Sequence, residues 1–368
     1  MARVIISGGG TGGHVFPAIA IADAIKVQAP ETEILFVGAN GKIEMEKVPK
    51  AGYRIEGLNV TGFQRKLSVK NLAFPFKLAG SMLKAVMIVR RFRPDVAVGV
   101  GGYASGPVLK IANTFSIPTV LQEQNSYAGV TNRILASKAS LICVAYDNME
   151  RFFPKNKIKF TGNPVRKDIL DKNISSNEAK KILGLDQNKK TVLIFGGSLG
   201  ARTINEAVLA NAEKLKSLVD VNIIWQVGKM YFDEYKSCTL EGVKDIKIVP
   251  FIEDMDVAYS ASDIVICRAG ALTISELSVL GKAAILIPSP NVAEDHQTVN
   301  AMSLVDKGAA ILLKDVDAKS EIFDQMTTLL SDDDKRISLQ LNIKYFARLE
   351  AANEIATEIL KICKTKNA

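Results

Sequence analysis

The chain has 368 residues but little of what builds covalent or metal-held frameworks: four cysteines and two histidines. Cys143, Cys238, Cys267 and Cys363 are too far apart for a CxxC or zinc pattern, which argues against a disulfide scaffold and points to a reduced, intracellular protein. No long apolar run survives uninterrupted. Val4 to Ala22 is 19 residues without a formal charge, but Gly8, Gly9, Gly10, Gly12, Gly13 and His14 break it. It is therefore neither a membrane span nor a signal sequence. Acidic residues are missing altogether from Gly57 to Pro94. The remaining composition, 48% hydrophobic and 23% charged, is that of an ordinary globular protein and excludes disorder and collagen-like repeats.

What is present suggests two domains of different character. The length suits two domains or one large one. The net charge of +8 divides unevenly: residues 1–163 carry +11 and residues 164–368 carry −3. A basic half attracts nucleic acid, anionic lipid or a phosphorylated substrate, and composition does not choose among them.

Short apolar segments alternate with helical ones. Arg3–Ser7, Glu33–Gly38, Asp95–Val100, Pro118–Gln122 and Ser140–Val144 read as strands, with a helix starting near Pro17. The pattern restarts at Lys190–Phe195, followed by a helix from about Thr203. Asn222–Gln226, Ile246–Val249, Ile264–Cys267 and Ala284–Ile287 then read as further strands. This predicts an α/β protein of two doubly wound parallel-sheet domains joined near Gly162-Asn163-Pro164. Ile337 to Lys364 reads as helix, placed to return to the first domain.

Several segments carry chemistry. Gly8-Gly9-Gly10-Thr11-Gly12-Gly13-His14 follows the first strand, where a parallel sheet places its ligand. Glycines there let the backbone approach a phosphate, although a tight turn alone also calls for glycine. No Gly-Lys-Ser/Thr ending follows, which excludes a Walker-type NTPase, and Phe36-Val37-Gly38-Ala39-Asn40 lacks the acid of a nicotinamide site. His14 ends the loop and suits proton abstraction near neutral pH; a structural histidine is the alternative.

The second half repeats the device in Gly196-Gly197-Ser198-Leu199-Gly200-Ala201 and in Cys267-Arg268 through Glu276. Glu276 suits ribose hydroxyls, or else is an exposed first-turn acid complementing the helix dipole. Asp254-Met255-Asp256 resembles a metal-binding triplet, but two similar spacings occur in the same acidic half, so we read it as a helix start and expect no metal. Between Gly57 and Pro94, Arg65, Lys66, Lys70, Lys77, Lys84, Arg90, Arg91 and Arg93 interleave with Phe63, Leu67, Leu72, Phe74, Phe76, Leu78, Met82 and Leu83. That composition suits a surface lying on an anionic membrane, or an ordinary amphipathic helix. No nucleic-acid motif accompanies it.

These segments resemble the MurG family, bacterial N-acetylglucosaminyltransferases of peptidoglycan synthesis. The likeness runs in order through Gly9–Pro17, Gly101–Pro107, Glu123-Gln124-Asn125, Thr161–Arg166, Gly196–Ala201, Pro250-Phe251-Ile252, Cys267–Glu276 and Asp295-His296-Gln297. It implies a GT-B fold, two Rossmann-like domains facing each other across a cleft. Residues 1–163, with a C-terminal helix at 345–368 packing back, would take the acceptor and the membrane; residues 164–344 would take UDP-GlcNAc.

The implied reaction is inverting transfer of N-acetylglucosamine from UDP-GlcNAc to the muramic acid 4-hydroxyl of a lipid-linked muramyl-pentapeptide, without cofactor. The alternative is another GT-B glycolipid transferase or a UDP-sugar epimerase. His14 is the expected base and Glu123 the second choice. By the family pattern, the nucleotide sugar meets Thr11, Gly12, Gly13, Asn125, Arg166, Ser198, Ile252, Ala271, Leu272, Thr273, Ile274, Ser275, Glu276 and Gln297. The implied location is peripheral, on the cytoplasmic face of the bacterial cell membrane. Cell-wall or division proteins are the implied partners, and nucleic acid is not expected.

Overall fold

The computed structural model describes residues 1–60, 74–171, 174–197 and 199–367. They form two compact units, Met1–Arg166 with Arg348–Ala368, and Lys167–Ala347.

In the first unit seven parallel strands lie in the order β3-β2-β1-β4-β5-β6-β7. They are β1 (Arg3–Ser7), β2 (Glu33–Ala39), β3 (Arg54–Leu58), β4 (Val96–Gly99), β5 (Thr119–Glu123), β6 (Leu141–Val144) and β7 (Ile158–Phe160). Val4 pairs with Ile34 on one side and Val96 on the other. Alternation along β1 divides two cores. Ile5 packs with Leu35, Ala97 and Leu121, whereas Val4 and Ile6 face Phe36, Val98, Ile21 and Ile25. The second layer is completed by the C-terminal helix Ala351–Asn367, whose Ile355 and Ile359 are fully buried. Each such side chain contributes about 1.5–3 kcal/mol by leaving water, enough to hold the returning helix on this unit.

The second unit repeats the winding with six parallel strands in the order β10-β9-β8-β11-β12-β13. They are β8 (Lys190–Phe195), β9 (Val221–Gln226), β10 (Ile246–Val249), β11 (Ile264–Cys267), β12 (Ala283–Leu286) and β13 (Ile311–Leu312). In both sheets the order reverses beside the first strand, between β1 and β4 and between β8 and β11. Those switch points are where such sheets bind ligands.

Three features depart from the sequence reading. The first helix spans Gly12–Gln28 and begins five residues before Pro17, because Thr11 is extended (φ −144°) and Gly12 and Gly13 already adopt helical dihedrals. His14 therefore stands in a helical first turn. Strands β3, β7 and β13 went unread: β3 and β7 are partly exposed and interrupted by charged residues, and β13 is only two residues long. The terminal stretch is not one helix. Asp333–Ile343 ends in a 3-10 turn at Lys344–Phe346, and the chain straightens at Ala347 before Ala351–Asn367 begins.

Candidate functional site

At the switch point of the first unit two glycine segments pack back to back. Gly102 has φ +84°, and a Cβ there would lie 2.3 Å from the Gly9 carbonyl oxygen. The same carbonyl oxygen lies 3.1 Å from Nδ1 of His14. A carbonyl only accepts, so Nδ1 carries the proton and the lone pair of the neutral imidazole sits on Nε2. Nε2 faces the second glycine segment: a Cβ on Gly101 would be 2.9 Å from it. The Thr11 side chain makes no capping bond to the helix N–H groups; its hydroxyl instead lies 3.4 Å from His14 Nδ1, a second contact to the nitrogen that faces Gly9, and no acidic residue stands in the first turn. The N–H groups beyond Thr11 thus suit an anion.

Glu123 lies nearby at the end of β5 but has a different environment. Its carboxylate accepts hydrogen bonds from Gly129 N and Asn132 Nδ2 (2.9 Å each), Asn125 N (3.2 Å) and Asn125 Nδ2 (3.4 Å). Burial pushes its acidity weaker than usual, and these donors pull the other way. Four donors on one buried carboxylate organise the loop carrying Asn125. Burial, the larger of the two influences, leaves the acidity of Glu123 weaker than usual even with these donors in place. Beside it, Gln122, Gln124 and Asn163 are buried and hydrogen-bonded to one another. Arg166 lies over the Phe16 ring, 4.5 Å from its centroid.

In the second unit, the helix Ala271–Leu280 begins after Gly270 with no side-chain cap and no first-turn acid, so its opening N–H groups include those of Ala271, Leu272 and Thr273. Ile274 is buried in the next turn, and the Ser275 hydroxyl donates to the Ala271 carbonyl. Glu276 is not the exposed first-turn acid of the alternative reading: it is 6% exposed, in the second turn, and accepts a 2.9 Å hydrogen bond from the fully buried Tyr259 hydroxyl.

Arg268 neighbours this helix but is committed to Asp315 and to the carbonyls of Ile287 and Pro288. Gln297 accepts from Ser289 N at 2.8 Å. Ahead of it Glu294 and Asp295 both have positive φ, a backbone that side chains rarely adopt and that concentrates at ligand clamps. Ile252 is buried in the segment after β10. Asp254 precedes the helix Met255–Ala261 as its cap residue, and Asp256 is buried in its first turn. Among the described residues no group of three His, Cys, Asp or Glu is placed to hold a metal. Ser198 lies outside the described residues.

Sequence reasoning missed Glu44, Asn132 and Tyr259. The Glu44 carboxylate accepts from Gly10 N and Ala39 N, both at 2.9 Å, and is 1% exposed. No local pattern marks these three; each acts on a different element from its own, Glu44 on the loop after β1, Asn132 on the end of β5 and Tyr259 on the helix from Ala271.

Of the basic, acid-free stretch, 61–73 lies outside the described residues. The helix Phe74–Phe92 exposes Phe76, Leu83 and Met87, seven and four residues apart and so on one face. Several of its cations have internal partners: Lys84 donates to the Gly57 carbonyl, Arg91 pairs with Glu56, and Arg90 lies over the Phe115 ring. Among the described residues no helix is long and apolar enough to cross a membrane.

Comparison with known proteins matches the N-terminal domain model of glycosyltransferase family 28 over residues 4–144 and its C-terminal domain model over 191–356. UDP-N-acetylglucosamine–N-acetylmuramyl-(pentapeptide) pyrophosphoryl-undecaprenol N-acetylglucosamine transferase of Phocaeicola vulgatus is 54% identical, covering 98% of this chain and 96% of the relative. The protein of the same description from Cytophaga hutchinsonii is 52% identical, over 99% and 97%. The crystal structure of MurG from Acinetobacter baumannii superposes with a TM-score of 0.74 at 30% identity, over 98% of this chain and all of that one. A UDP-GlcNAc 2-epimerase from Neisseria meningitidis shares the fold (TM-score 0.67) at 15% identity, over 98% of this chain and all of that one.

Proposed function

The chain belongs to glycosyltransferase family 28, with a GT-B-like fold, and on that basis we propose how its two units divide the work. The enzyme transfers N-acetylglucosamine from UDP-GlcNAc to the lipid-linked muramyl-pentapeptide acceptor of peptidoglycan synthesis. The observation that carries this is the 54% identity, over 98% of the chain, to a relative named for that reaction. The epimerase alternative rests on shared fold alone.

In the reaction the acceptor 4-hydroxyl oxygen attacks the anomeric carbon. The bond from that carbon to the diphosphate breaks, UDP leaves with the electron pair, and the configuration inverts. The hydroxyl proton goes to His14 Nε2, the lone-pair nitrogen of the tautomer held by Gly9. The second unit supplies most of the donor site: the segment 196–201 with Ser198, Ile252, the N-terminus of the helix from Ala271 to Glu276, and Gln297. Glu276, oriented by Tyr259, takes the ribose hydroxyls. In the first unit Thr11, Gly12, Gly13, Asn125 and Arg166 complete the nucleotide-sugar contacts, and the glycine segments receive the acceptor diphosphate. Helix N-termini and Arg166 offset the leaving-group charge, so we expect no metal requirement.

The exposed Phe76, Leu83 and Met87, flanked by basic residues, fit peripheral contact with the anionic cytoplasmic face of the bacterial membrane. Cell-wall synthesis or division proteins are the partners that this location would bring.

UDP release from UDP-GlcNAc, with and without a soluble lipid-acceptor analogue and with and without chelator, tests the reading. Acceptor-dependent, chelator-insensitive release is expected. Epimer formed from UDP-GlcNAc alone would refute the transferase assignment, and loss of activity in chelator would refute the metal independence.

A further inference from the structure

The Glu44 carboxylate and the His14 imidazole grip opposite ends of one peptide group. The Gly9–Gly10 peptide donates its N–H to Glu44 Oε2 at 2.9 Å, and its carbonyl oxygen accepts from His14 Nδ1 at 3.1 Å. A trans peptide points those two groups in opposite directions, so the three form a line from carboxylate through amide to imidazole. The anchor is stiff: the other Glu44 oxygen accepts from Ala39 N, the last residue of β2, and the side chain is 1% exposed. The cradle is shaped for it. A Cβ on Gly9 would lie 2.1 Å from a Glu44 carboxylate oxygen, and one on Gly102 would strike the Gly9 carbonyl.

We propose that Glu44 is a positioning residue for the transfer, acting on His14 through the Gly9–Gly10 peptide; this deepens the assignment of His14 as base and rests on it. The negative charge polarises the amide, which strengthens the carbonyl as acceptor for Nδ1–H. That bond fixes the tautomer and ring orientation and stabilises the imidazolium formed when Nε2 takes the acceptor proton. A directly hydrogen-bonded aspartate does the same in hydrolytic triads. Glu44 touches no substrate in this scheme.

A double-mutant cycle in the full-length protein tests it, reading kcat and KM for UDP-GlcNAc. Glu44→Gln keeps the shape and removes the charge. Expected are a fall in kcat of about tenfold or more with little change in KM, and almost no further fall when the substitution is made in His14→Ala. If Glu44→Gln lowers kcat by the same factor with and without His14, the residue does not act through His14 and the proposal is overturned. If His14→Ala itself keeps near-normal turnover, it is the base assignment that fails, a separate and distinguishable result. Should Glu44→Gln unfold, Glu44→Asp retains the charge, and the same cycle is read on it. Loss of the folded state in both variants assigns Glu44 a purely structural role and overturns the proposal.

Discussion

Replacing Gly102 by alanine should separate loop geometry from loop stability in a way the structure quantifies. Gly102 has φ +84°, and an added Cβ would sit 2.3 Å from the Gly9 oxygen and 3.0 Å from the Gly9 nitrogen. The left-handed backbone alone costs an L-residue about 1–2 kcal/mol. Relieving the contact requires the two glycine segments to part by about 1 Å. The Gly9 oxygen is also the group that holds Nδ1 of His14 at 3.1 Å, so that movement takes the pair out of hydrogen-bond range. A displacement of that size at a reacting group costs about 100-fold in rate.

Gly52 provides the control: its φ is +86°, and a Cβ there meets nothing within 4 Å. Gly52→Ala should lose the same 1–2 kcal/mol of dihedral preference, or roughly 2–8 °C in melting temperature, and keep its kcat. Gly102→Ala should lose more stability and about two orders of magnitude in kcat, assayed as acceptor-dependent UDP release at saturating substrates. A Gly102→Ala enzyme within about threefold of the parent kcat would refute the link between the two loops and the imidazole.

Tyr259→Phe removes only the hydroxyl that donates to buried Glu276. With about 1.5–3 kcal/mol in a hydrogen bond to a charged group, KM for UDP-GlcNAc should rise about tenfold or more with kcat little changed. An unchanged KM would remove Glu276 from the ribose site. Glu123→Gln turns an amide NH2 toward a site built of donors, so its thermal midpoint should fall while kcat keeps its dependence on pH. Disappearance of the acid limb of that profile would make Glu123 the base. Burial pushes the Lys282 ammonium down to about 8. The unfolded chain then holds more protons between about pH 8 and 10.5, so stability should rise with pH across that window, by up to about 3 kcal/mol. Lys282→Met should lack that rise in denaturant melts, and an identical pH slope in both proteins would contradict it.

The parts of the fold visible in sequence are those where one residue type answers one local demand. Glycines at 8–13 and 196–200 had to follow strands, and Val4-Ile5-Ile6 and Val192-Leu193-Ile194, buried on both faces, read as continuous apolar runs. The edge strands β3 and β7 escaped notice because Arg54, Glu56 and Lys159 break such runs without breaking the pairing. The helix start at Gly12 was hidden by a sound rule, since proline favours the first helical position, yet Pro17 sits inside this helix. Within the site, His14 was legible because the loop delivers it. Glu44 was not, since its meaning depends on chain 34 residues away. The place of Glu276 on the helix after β11 was legible but its burial was not, because Tyr259 reaches it from another helix.

The two switch points use the same glycine device to different ends. In the first unit the loop after β1 is braced on two sides: Gly102 fits against Gly9 and Gly101 against the His14 ring from across the switch point, and Glu44 holds Gly9 and Gly10 from beyond β2. In the second unit the close glycine contacts of the loop after β8 lie on the β9 side. A Cβ on Gly200 would strike the Val227 oxygen at 2.3 Å, and one on Gly228 the Gly200 Cα at 2.6 Å, both just beyond β9. Toward the second switch point the described residues leave room. A Cβ on Gly197 meets nothing within 4 Å, and one on Gly270 meets only Thr273 of its own helix, at 3.7 Å. A loop braced against its switch-point neighbour holds a side chain still, which a proton transfer requires. A loop braced from behind keeps its N–H groups and the space before them for a ligand as large as a nucleotide. This difference in packing fits the division we propose, with proton transfer at His14 in the first unit and donor binding in the second.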